Sequence, residues 1–413
     1  MNSNQTSKIA TTLVASAVLA VLSTSAHAAE NRVQRYTPGL GGSDMTTILT
    51  PGWYGQLAAV HYHATKIKDS NGDNVLRSGS LPSAYVGSLA SNAAVDANPA
   101  VTPVAGTILT NVASQVAAAG GLTYRTQGTS VRADAYVLQP RVTYLSSKQF
   151  LGAHVGFTAM VPLIERQTSL AGQTTVADRT AAINAGILSA TGSAPLAAGV
   201  STGVMAAINA NVNQQVATGL ASASRSNTGI GDLEFGPVLN WEIGDHQVAT
   251  LTPTLIVPTG EYNKNNAVNP GFGNFYTFRP SFQYGFIGDG WDVAARAVLS
   301  FNTRNKDTKY RSGTMFNVDF AAMKFVTEDL RLGVQGFVVQ QLTKDSSEDA
   351  AVQAGLDATN GGKMRAYALG PALGWIVNGG EMLVEGKILQ EFGARNRAEG
   401  TTYMLVLSKP FGM

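Results

Sequence analysis

The side chains best suited to chemistry in this sequence are the four histidines that follow the first thirty residues. His61 and His63 are separated by one residue, so on a β-strand both imidazoles point to the same side, which permits metal binding. The chain has no cysteine, and no carboxylate cluster lies near the pair in the sequence. We therefore expect His61, His63, His154 and His246 to be ordinary histidines, and we predict no metal and no cofactor.

Other catalytic arrangements are equally weak in this sequence. A serine hydrolase needs a Ser–His pair with an orienting group, and no spacing singles one out. No phosphate-binding glycine loop follows a strand, and no basic–aromatic patch indicates nucleic acid. The 29 basic and 27 acidic side chains leave a formal net charge of +2, which gives little attraction to nucleic acid. We predict that the protein is not an enzyme and has no nucleic-acid partner.

Polar side chains instead recur at every second position of otherwise apolar segments. In 247–257, for example, Leu251, Pro253 and Leu255 share one face, while threonines occupy the other. Because strand side chains alternate between faces, this parity separates lipid-facing from lumen-facing positions in a barrel. The inward positions predicted to line the lumen are Arg141, His154, Glu234, Arg279, Gln283, Asp292, Arg296, Asn317, Asp319, Arg331, Glu385, Lys387 and Glu391.

These lumen candidates carry both signs of charge and form no ring of a single sign, which argues against a strongly ion-selective pore. From the strand parity we expect Arg279 to lie near Asp292, and Arg296 to lie near Asn317 and Asp319. The set is either a polar constriction that a solute must pass or a group of ion pairs that fills a barrel of modest diameter. The sequence leaves both interpretations open.

The elements that position these residues are twelve predicted strands, an even number as closed bacterial barrels require. The fold class is therefore all-β, a transmembrane antiparallel barrel. The predicted strands are Gly52–His63, Ala133–Tyr144, Phe150–Leu163, Leu233–Trp241, Gln247–Pro258, Phe275–Phe286, Trp291–Phe301, Met315–Val326, Leu330–Leu342, Met364–Trp375, Met382–Phe392 and Thr401–Phe411.

The connections between the predicted strands alternate between short turns and long loops. Short turns are predicted at 146–148, 244–246, 288–290, 327–329 and 378–380, and long loops at about 64–132, 165–231, 260–273, 302–314, 343–362 and 393–400. Outer-membrane barrels place short turns in the periplasm and long loops outside the cell. Both termini are accordingly predicted to be periplasmic.

The first residues have the composition of an export signal. A basic residue, Lys8, precedes the apolar stretch Ile9–Leu22, and Ala26-His27-Ala28 forms a small-x-small cleavage site. Residues 1–28 are thus predicted to be a signal peptide, 29–51 a periplasmic N-terminal segment, and 52–413 an outer-membrane barrel. Outer-membrane lipid and the barrel-assembly machinery are the expected partners, and the sequence assigns no oligomeric state.

Aromatic residues and prolines add detail to the predicted barrel wall. On four strands one aromatic lies eight residues before another, for example Tyr136 and Tyr144, as two girdles at the membrane interfaces would require. A soluble β-sandwich would not explain this spacing. Five prolines fall on outward positions within strands, where a missing hydrogen bond favours bulges or a locally opened wall. They are Pro140, Pro237, Pro253, Pro280 and Pro371.

The two longest loops contain apolar residues at every fourth position, which predicts helices with one apolar stripe each. The stripe residues are Val204, Ile208, Val212 and Val216 in the second loop, and Ile108 and Val112 in the first. We hypothesise that the two loops pack together and form a lid at the extracellular mouth. The alternative is an exposed pair of helices that makes surface contacts.

A family resemblance rests on the stretch from Gly231 to Trp291. Its motifs are Gly231-Asp232-Leu233, Gly236-Pro237, Pro253-Thr254, Pro258-Thr259-Gly260 and Phe278-Arg279-Pro280. The sequence resembles the outer-membrane proteins associated with the meta-cleavage pathway of phenol degradation, from about Ala133 onward. It departs from that pattern in its two long Ala/Asn-rich loops and in ending Phe411-Gly412-Met413.

The resemblance implies an outer-membrane barrel that passes aromatic or other hydrophobic compounds. We therefore predict a passive channel or uptake barrel for small organic solutes. The alternative is a non-transporting scaffold, in which a filled barrel displays the helical loops to a partner.

Overall fold

A computed structural model describes residues 34–411 of the chain. The predicted signal peptide, 1–28, lies outside these residues. The described part divides into two compact units. One, here called the barrel unit, comprises 34–74, 130–170 and 223–411, and the other, the helical unit, comprises 75–129 and 171–222.

The barrel unit is built on twelve antiparallel strands that close into a ring, as the sequence predicted. The strands are β1 (Gly52–Lys68), β2 (Leu122–Phe150), β3 (Ala153–Met160), β4 (Leu233–Ile243), β5 (Gln247–Val257), β6 (Thr277–Gly288), β7 (Trp291–Asn302), β8 (Met315–Phe325), β9 (Leu330–Gln341), β10 (Arg365–Val377), β11 (Met382–Arg395) and β12 (Arg397–Phe411). The ring closes because β1 pairs with β12 from Trp53–Phe411 to Lys68–Arg397, and with β2 from Gly52–Leu145 to Ala64–Ala133.

The wall is inverted relative to a soluble protein, with apolar side chains outside and polar side chains within. On β7, Trp291 and Val293 are 44% and 41% exposed, whereas Asp292 and Arg296 on the opposite face are 0% and 7% exposed. Each strand follows the alternation of its sequence because successive side chains point to opposite faces. Such a wall requires an apolar surrounding, as the hydrocarbon layer of a membrane provides.

Four of the five predicted short turns lie where expected, and the first does not. Residues 146–148 continue β2, with a register shift between Leu145 and Gln149, and the turn is made by Leu151 and Gly152. Gly152 adopts a φ of +75°, which glycine accepts without a side-chain clash. The serine residues of this bulge therefore led to an incorrect turn prediction.

The predicted long loop at 393–400 is also wrong. β11 and β12 run on to a tight turn at Asn396, which has a φ of +51°. Asparagine tolerates this left-handed conformation, and its side-chain amide donates to the carbonyl of Lys363 at 2.9 Å. Other strands are likewise longer than predicted, since β1 reaches Lys68 and β2 begins at Leu122.

The remaining described elements are strands and helices in the connections. These strands are Val75–Leu81, Leu163–Val176, Ser226–Ile230, Tyr310–Arg311 and Ser346–Ser347. The helices are α1 (Ser83–Ala97), α2 (Ala105–Ala118), α3 (Thr180–Thr191), α4 (Ala194–Ala223) and α5 (Ala350–Ala358), with single 3₁₀ turns at Ser43–Met45, Pro99–Val104 and Asn360–Gly362. Among residues 34–411, none of the helices is both long and apolar enough to cross a membrane.

The helical unit has a hydrophobic core of its own, formed largely by α1 to α4. The predicted apolar stripes are buried in it, with Ile108 and Val112 of α2 at 0% exposure beside Val204, Ile208 and Val212 of α4. The helices predicted in the two long loops are therefore confirmed, and both stripes are buried in one core.

Candidate functional site: the barrel lumen and its N-terminal segment

The segment that precedes β1 lies inside the barrel. Tyr36, Leu40 and Met45 are each at most 8% exposed, and Met45 packs against Ala294 and Ala321 of β7 and β8. We call residues 34–46 the inner segment. The periplasmic segment predicted for 29–51 is therefore incorrect for this part, because these residues contact inward-facing positions of the wall.

Asp319 on β8 holds the middle of the inner segment. Its carboxylate accepts hydrogen bonds from the backbone N–H groups of Gly39 and Gly41, at 2.8 and 2.9 Å, and from the hydroxyl of Tyr36. Backbone donors aimed at a buried carboxylate satisfy a charge that would otherwise be costly inside the barrel. Asp319 therefore acts as a docking residue for the segment.

Two further ion pairs hold the ends of the inner segment. Arg35 pairs with Asp232, which precedes β4, at 2.9 Å, and Asp44 pairs with Arg296 of β7 at 2.8 Å. Arg296 also donates to the side-chain carbonyl of Gln283 at 2.7 and 3.0 Å. Since Asp232 lies at the long-loop end of the wall, the segment runs from that end down toward Gly52 at the short-turn end.

Glycines allow the segment to approach the wall closely. A Cβ added at Gly42 would lie 2.0 Å from Oε1 of Glu385, and Gly39 has a φ of +80°. Lys387 of β11 donates to the carbonyl oxygen of Gly41 at 3.1 Å. Larger side chains at Gly39 or Gly42 would therefore displace the segment from β11.

Most of the lumen candidates are buried and form ion pairs within the wall. Glu234 pairs with Arg279 at 2.7 Å, Lys387 with Glu385 at 3.0 Å, and Asp292 with Arg331. A fourth pair, Glu391 with Arg397 at 2.6 Å, uses a cation that the sequence reading missed. The inner face of the wall thus carries charges that pair with one another.

The predicted neighbours of the two arginines are only partly correct. Arg296 does lie opposite Asp319 in the β7–β8 register, and Asn317 lies two positions further along β8. Arg279 does not approach Asp292, because the tight turn at Asp289–Gly290 places Arg279 beside Ser300, to which it donates at 3.3 Å. Reading the hairpin register from that turn would have given the correct neighbour.

The other candidates have different surroundings. Arg141 is half-buried, and Asn317 is fully buried, with no hydrogen-bond partner for its side chain among the described residues. His154 lies near the short-turn end, where its Nδ1 donates to the carbonyl oxygen of Ser146 at 3.1 Å. It therefore takes no part in the contacts of the inner segment.

The prolines mark an interruption in the wall between β4 and β5. Pairing runs from Leu233 to Phe235 and resumes only at Leu239, so Pro237 and Pro253 face each other across an unpaired stretch. Pro253 in turn pairs with Pro280 on β6. We call these three residues the proline row. A proline has no N–H to donate, which explains why the ladder fails there.

The histidine pair has a carboxylate neighbour that is distant in the sequence. His63 on β1 lies opposite Asp134 on β2, with Nδ1 2.6 Å from Oδ1. The two residues are 71 positions apart, so only the closure of β1 against β2 brings them together. A carboxylate therefore lies beside the histidine pair in the fold, although none lies near it in the sequence.

Twelve closed strands, an apolar outer face and a charged lumen together define an outer-membrane β-barrel. The chain matches the family described as "Putative MetA-pathway of phenol degradation" over residues 113–407, and it belongs to that family. The family resemblance seen in the sequence is thereby confirmed.

The chain is similar to several solved structures, and the first of them supports this fold. The crystal structure of an outer-membrane channel from Pseudomonas putida F1 is 11% identical, with 91% of this chain and 100% of that chain covered at a TM-score of 0.56. A FadL homologue from Pseudomonas aeruginosa is 8% identical, covering 90% of this chain and 92% of that chain, with a TM-score of 0.33. The CymD monoaromatic hydrocarbon channel is 9% identical, covering 91% and 94%, with a TM-score of 0.33. No curated protein matches the sequence.

Proposed function

We propose that this protein is a passive outer-membrane channel for small hydrophobic or aromatic organic compounds. Its membership of a family associated with phenol degradation supports the solute class. The observation that carries the proposal is the occupied lumen, in which the inner segment and buried ion pairs replace the open water-filled pore of a general porin. An apolar solute gains little from a water-filled pore, so we infer that it follows a path lined by apolar groups.

We infer that the proline row provides this path. The stretch between β4 and β5 is one of the places where the ladder of the wall is interrupted, here with two prolines facing each other, and its outer face meets hydrocarbon. A solute that enters the barrel from the long-loop end would leave sideways there, into the apolar phase. The flux follows the concentration gradient, because no energy-coupling segment is recognisable in the sequence.

Substitution of the prolines tests this path. Pro237→Val and Pro253→Val restore backbone donors and should strengthen the β4–β5 ladder. Uptake of a fluorescent aromatic compound into liposomes that contain the refolded barrel should then fall several-fold. Pro140→Val is the matched control, because Pro140 lies in a ladder that is continuous from Gly52 to Ala64. Equal uptake by all three variants and the native protein would eliminate the lateral path.

A second function is favoured by the same occupied lumen. The barrel would be a rigid scaffold, and the helical unit would bind a partner. In that case barrels reconstituted in liposomes would accelerate the entry of no aromatic solute, and the helical unit would be required for partner binding. Flux that depends on the proline row would exclude this function.

We propose the following location and partners. The barrel lies in the bacterial outer membrane with its short-turn end toward the periplasm, as in other barrels of this kind. The β12 strand ends at Phe411 on that side and would be read by the barrel-assembly machinery. The helical unit, with its stripe residues Ile108, Val112 and Val204, would influence solute uptake.

A further inference from the structure

The outer face of the β1–β2 pair carries three potential metal ligands at one place. The side-chain ligand atoms of His61, His63 and Asp134 all lie within 4.8 Å of one another. Oδ1 of Asp134 lies 2.6 Å from Nδ1 of His63 and 3.9 Å from Nε2 of His61. Zinc bonds of about 2.0–2.1 Å to nitrogen and oxygen place tetrahedral ligand atoms about 3.3 Å apart, so small side-chain movements would suffice.

The imidazole of His61 has a nitrogen atom that is free to bind a metal. Its Nε2 atom is buried and has no hydrogen-bond partner among the described residues, although it points toward the carboxylate of Asp134. The ring is held by stacking on Tyr136, with centroids 4.3 Å apart and planes inclined by 6°, and more loosely on Tyr403 at 5.8 Å. A buried nitrogen without a hydrogen bond has lost its hydration without compensation, and a bond to a cation would offset that loss.

Asp134 is suited to be the anionic ligand. Its side chain is fully buried although it lies on the outer face of the barrel, because His63 and Arg132 cover it. Arg132 donates through Nε to the other carboxylate oxygen, Oδ2, and its side chain is 52% exposed. Oδ1 is therefore the oxygen available to a metal, and Arg132 orients the carboxylate as outer partners of metal ligands commonly do.

We propose that His61, His63 and Asp134 form a binding site for a divalent transition metal of the zinc class. Two imidazoles and one carboxylate match zinc, copper and nickel better than magnesium or calcium, which prefer oxygen ligands alone. Three protein ligands leave a fourth position for water. The site lies one step beyond Tyr136 and Tyr403 toward the long-loop end, where charged groups can leave the apolar band.

The metal would act as a clip between two strands that are distant in sequence. β1 and β2 are connected only through residues 69–121, and the metal would bond both of them. A ligand that binds only the folded state shifts the unfolding equilibrium toward it, by about 100-fold when present at 100 times its dissociation constant. Zinc should therefore make the closed barrel more resistant to urea.

Zinc titration of the full mature chain, refolded in detergent without a histidine tag, tests the proposal. Isothermal titration calorimetry should give one zinc ion per barrel and no binding of Mg²⁺. His61→Gln and Asp134→Asn should each weaken zinc binding by more than about tenfold, since even loss of an outer partner costs that much. Both variants should lose the gain in urea resistance.

The control is the double variant His154→Gln/His246→Gln, which removes the same kind of side chain elsewhere. It should bind zinc as the native chain does. Circular dichroism verifies that each variant forms the barrel, and Asp134→Asn, which preserves side-chain size, covers the case in which His61→Gln fails to fold. Zinc binding unchanged in Asp134→Asn, or lost in the double control, would overturn the assignment.

Discussion

Asp44→Asn should release the inner segment from the lumen more often. In the native protein the Asp44 carboxylate accepts from Nη2 of Arg296 and from the backbone N–H of Gly42, both at 2.8 Å. Hydrogen bonds to charged groups contribute about 1.5–3 kcal/mol each. The asparagine side chain retains an acceptor but lacks the charge, so we expect docking to weaken by about 2 kcal/mol, which corresponds to about a 30-fold larger released fraction.

A single thiol reports this release, because the chain contains no cysteine. Met45 is fully buried at the β7–β8 wall, so Met45→Cys should react with a maleimide only when the segment leaves. When opening and closing are fast, the labelling rate follows the open population. Labelling of Met45→Cys/Asp44→Asn should therefore be about 30 times faster than labelling of Met45→Cys alone.

Glu391→Gln is the matched control for this experiment. Glu391 is a buried lumen carboxylate with an arginine partner at 2.6 Å and a tyrosine hydroxyl, Tyr62, at 2.8 Å, and none of its hydrogen bonds involves residues 34–46. The Glu391→Gln substitution should weaken the wall without releasing the inner segment. If Asp44→Asn changed the labelling rate by less than about threefold, the ion pair with Arg296 would not be what docks the segment.

Three further perturbations address the wall and the helical unit. Arg331→Met leaves Asp292 buried without its cation and should cost about 3–5 kcal/mol in urea unfolding of the reconstituted barrel, whereas a loss below about 1 kcal/mol would mean that water already solvates the carboxylate. Val204→Asp places a charge in the core of the helical unit and should reduce the helical circular dichroism signal while the strand signal persists. The exposed change Asn211→Asp should leave both signals intact, and a loss of strand signal in Val204→Asp would contradict separate folding. Asn396→Val forces a branched residue to a φ of +51° and should destabilise the barrel by about 1–2 kcal/mol, a cost that Asn396→Gly should largely avoid.

The wall could be predicted from the sequence because each strand carries its own alternation. On β7 every inward and outward position follows from parity alone, and burial agrees at Asp292, Val293 and Arg296. A one-residue error would turn every side chain to the wrong face, so the pattern fixes the register within a strand. Turns are less certain, because the serine-rich bulge at 146–148 and the tight turn at Asn396 have compositions that other structures share.

The inner segment could not be predicted in this way. Residues 34–46 have neither strand nor helix periodicity. Their partners Arg296 and Asp319 lie on two different strands, and Asp232 lies just before a third. The glycines at 39, 41 and 42, followed by an aspartate, were the available signal, since adjacent glycines indicate close backbone approach. The candidate metal site could not be predicted for the same reason. His63 and Asp134 become neighbours only when the barrel closes.

The sequence left open whether the lumen residues form a polar constriction or ion pairs that fill the barrel. The contacts of the inner segment show that different residues have different roles. Glu234, Asp292 and Glu391 are neutralised by arginines of the wall, so they stiffen the barrel whether or not the segment is present. Asp319 accepts hydrogen bonds chiefly from the segment, and a release would leave that carboxylate without those donors inside the barrel. Water would then have to enter to solvate it. Release of the segment should therefore be coupled to hydration of Asp319 inside the barrel.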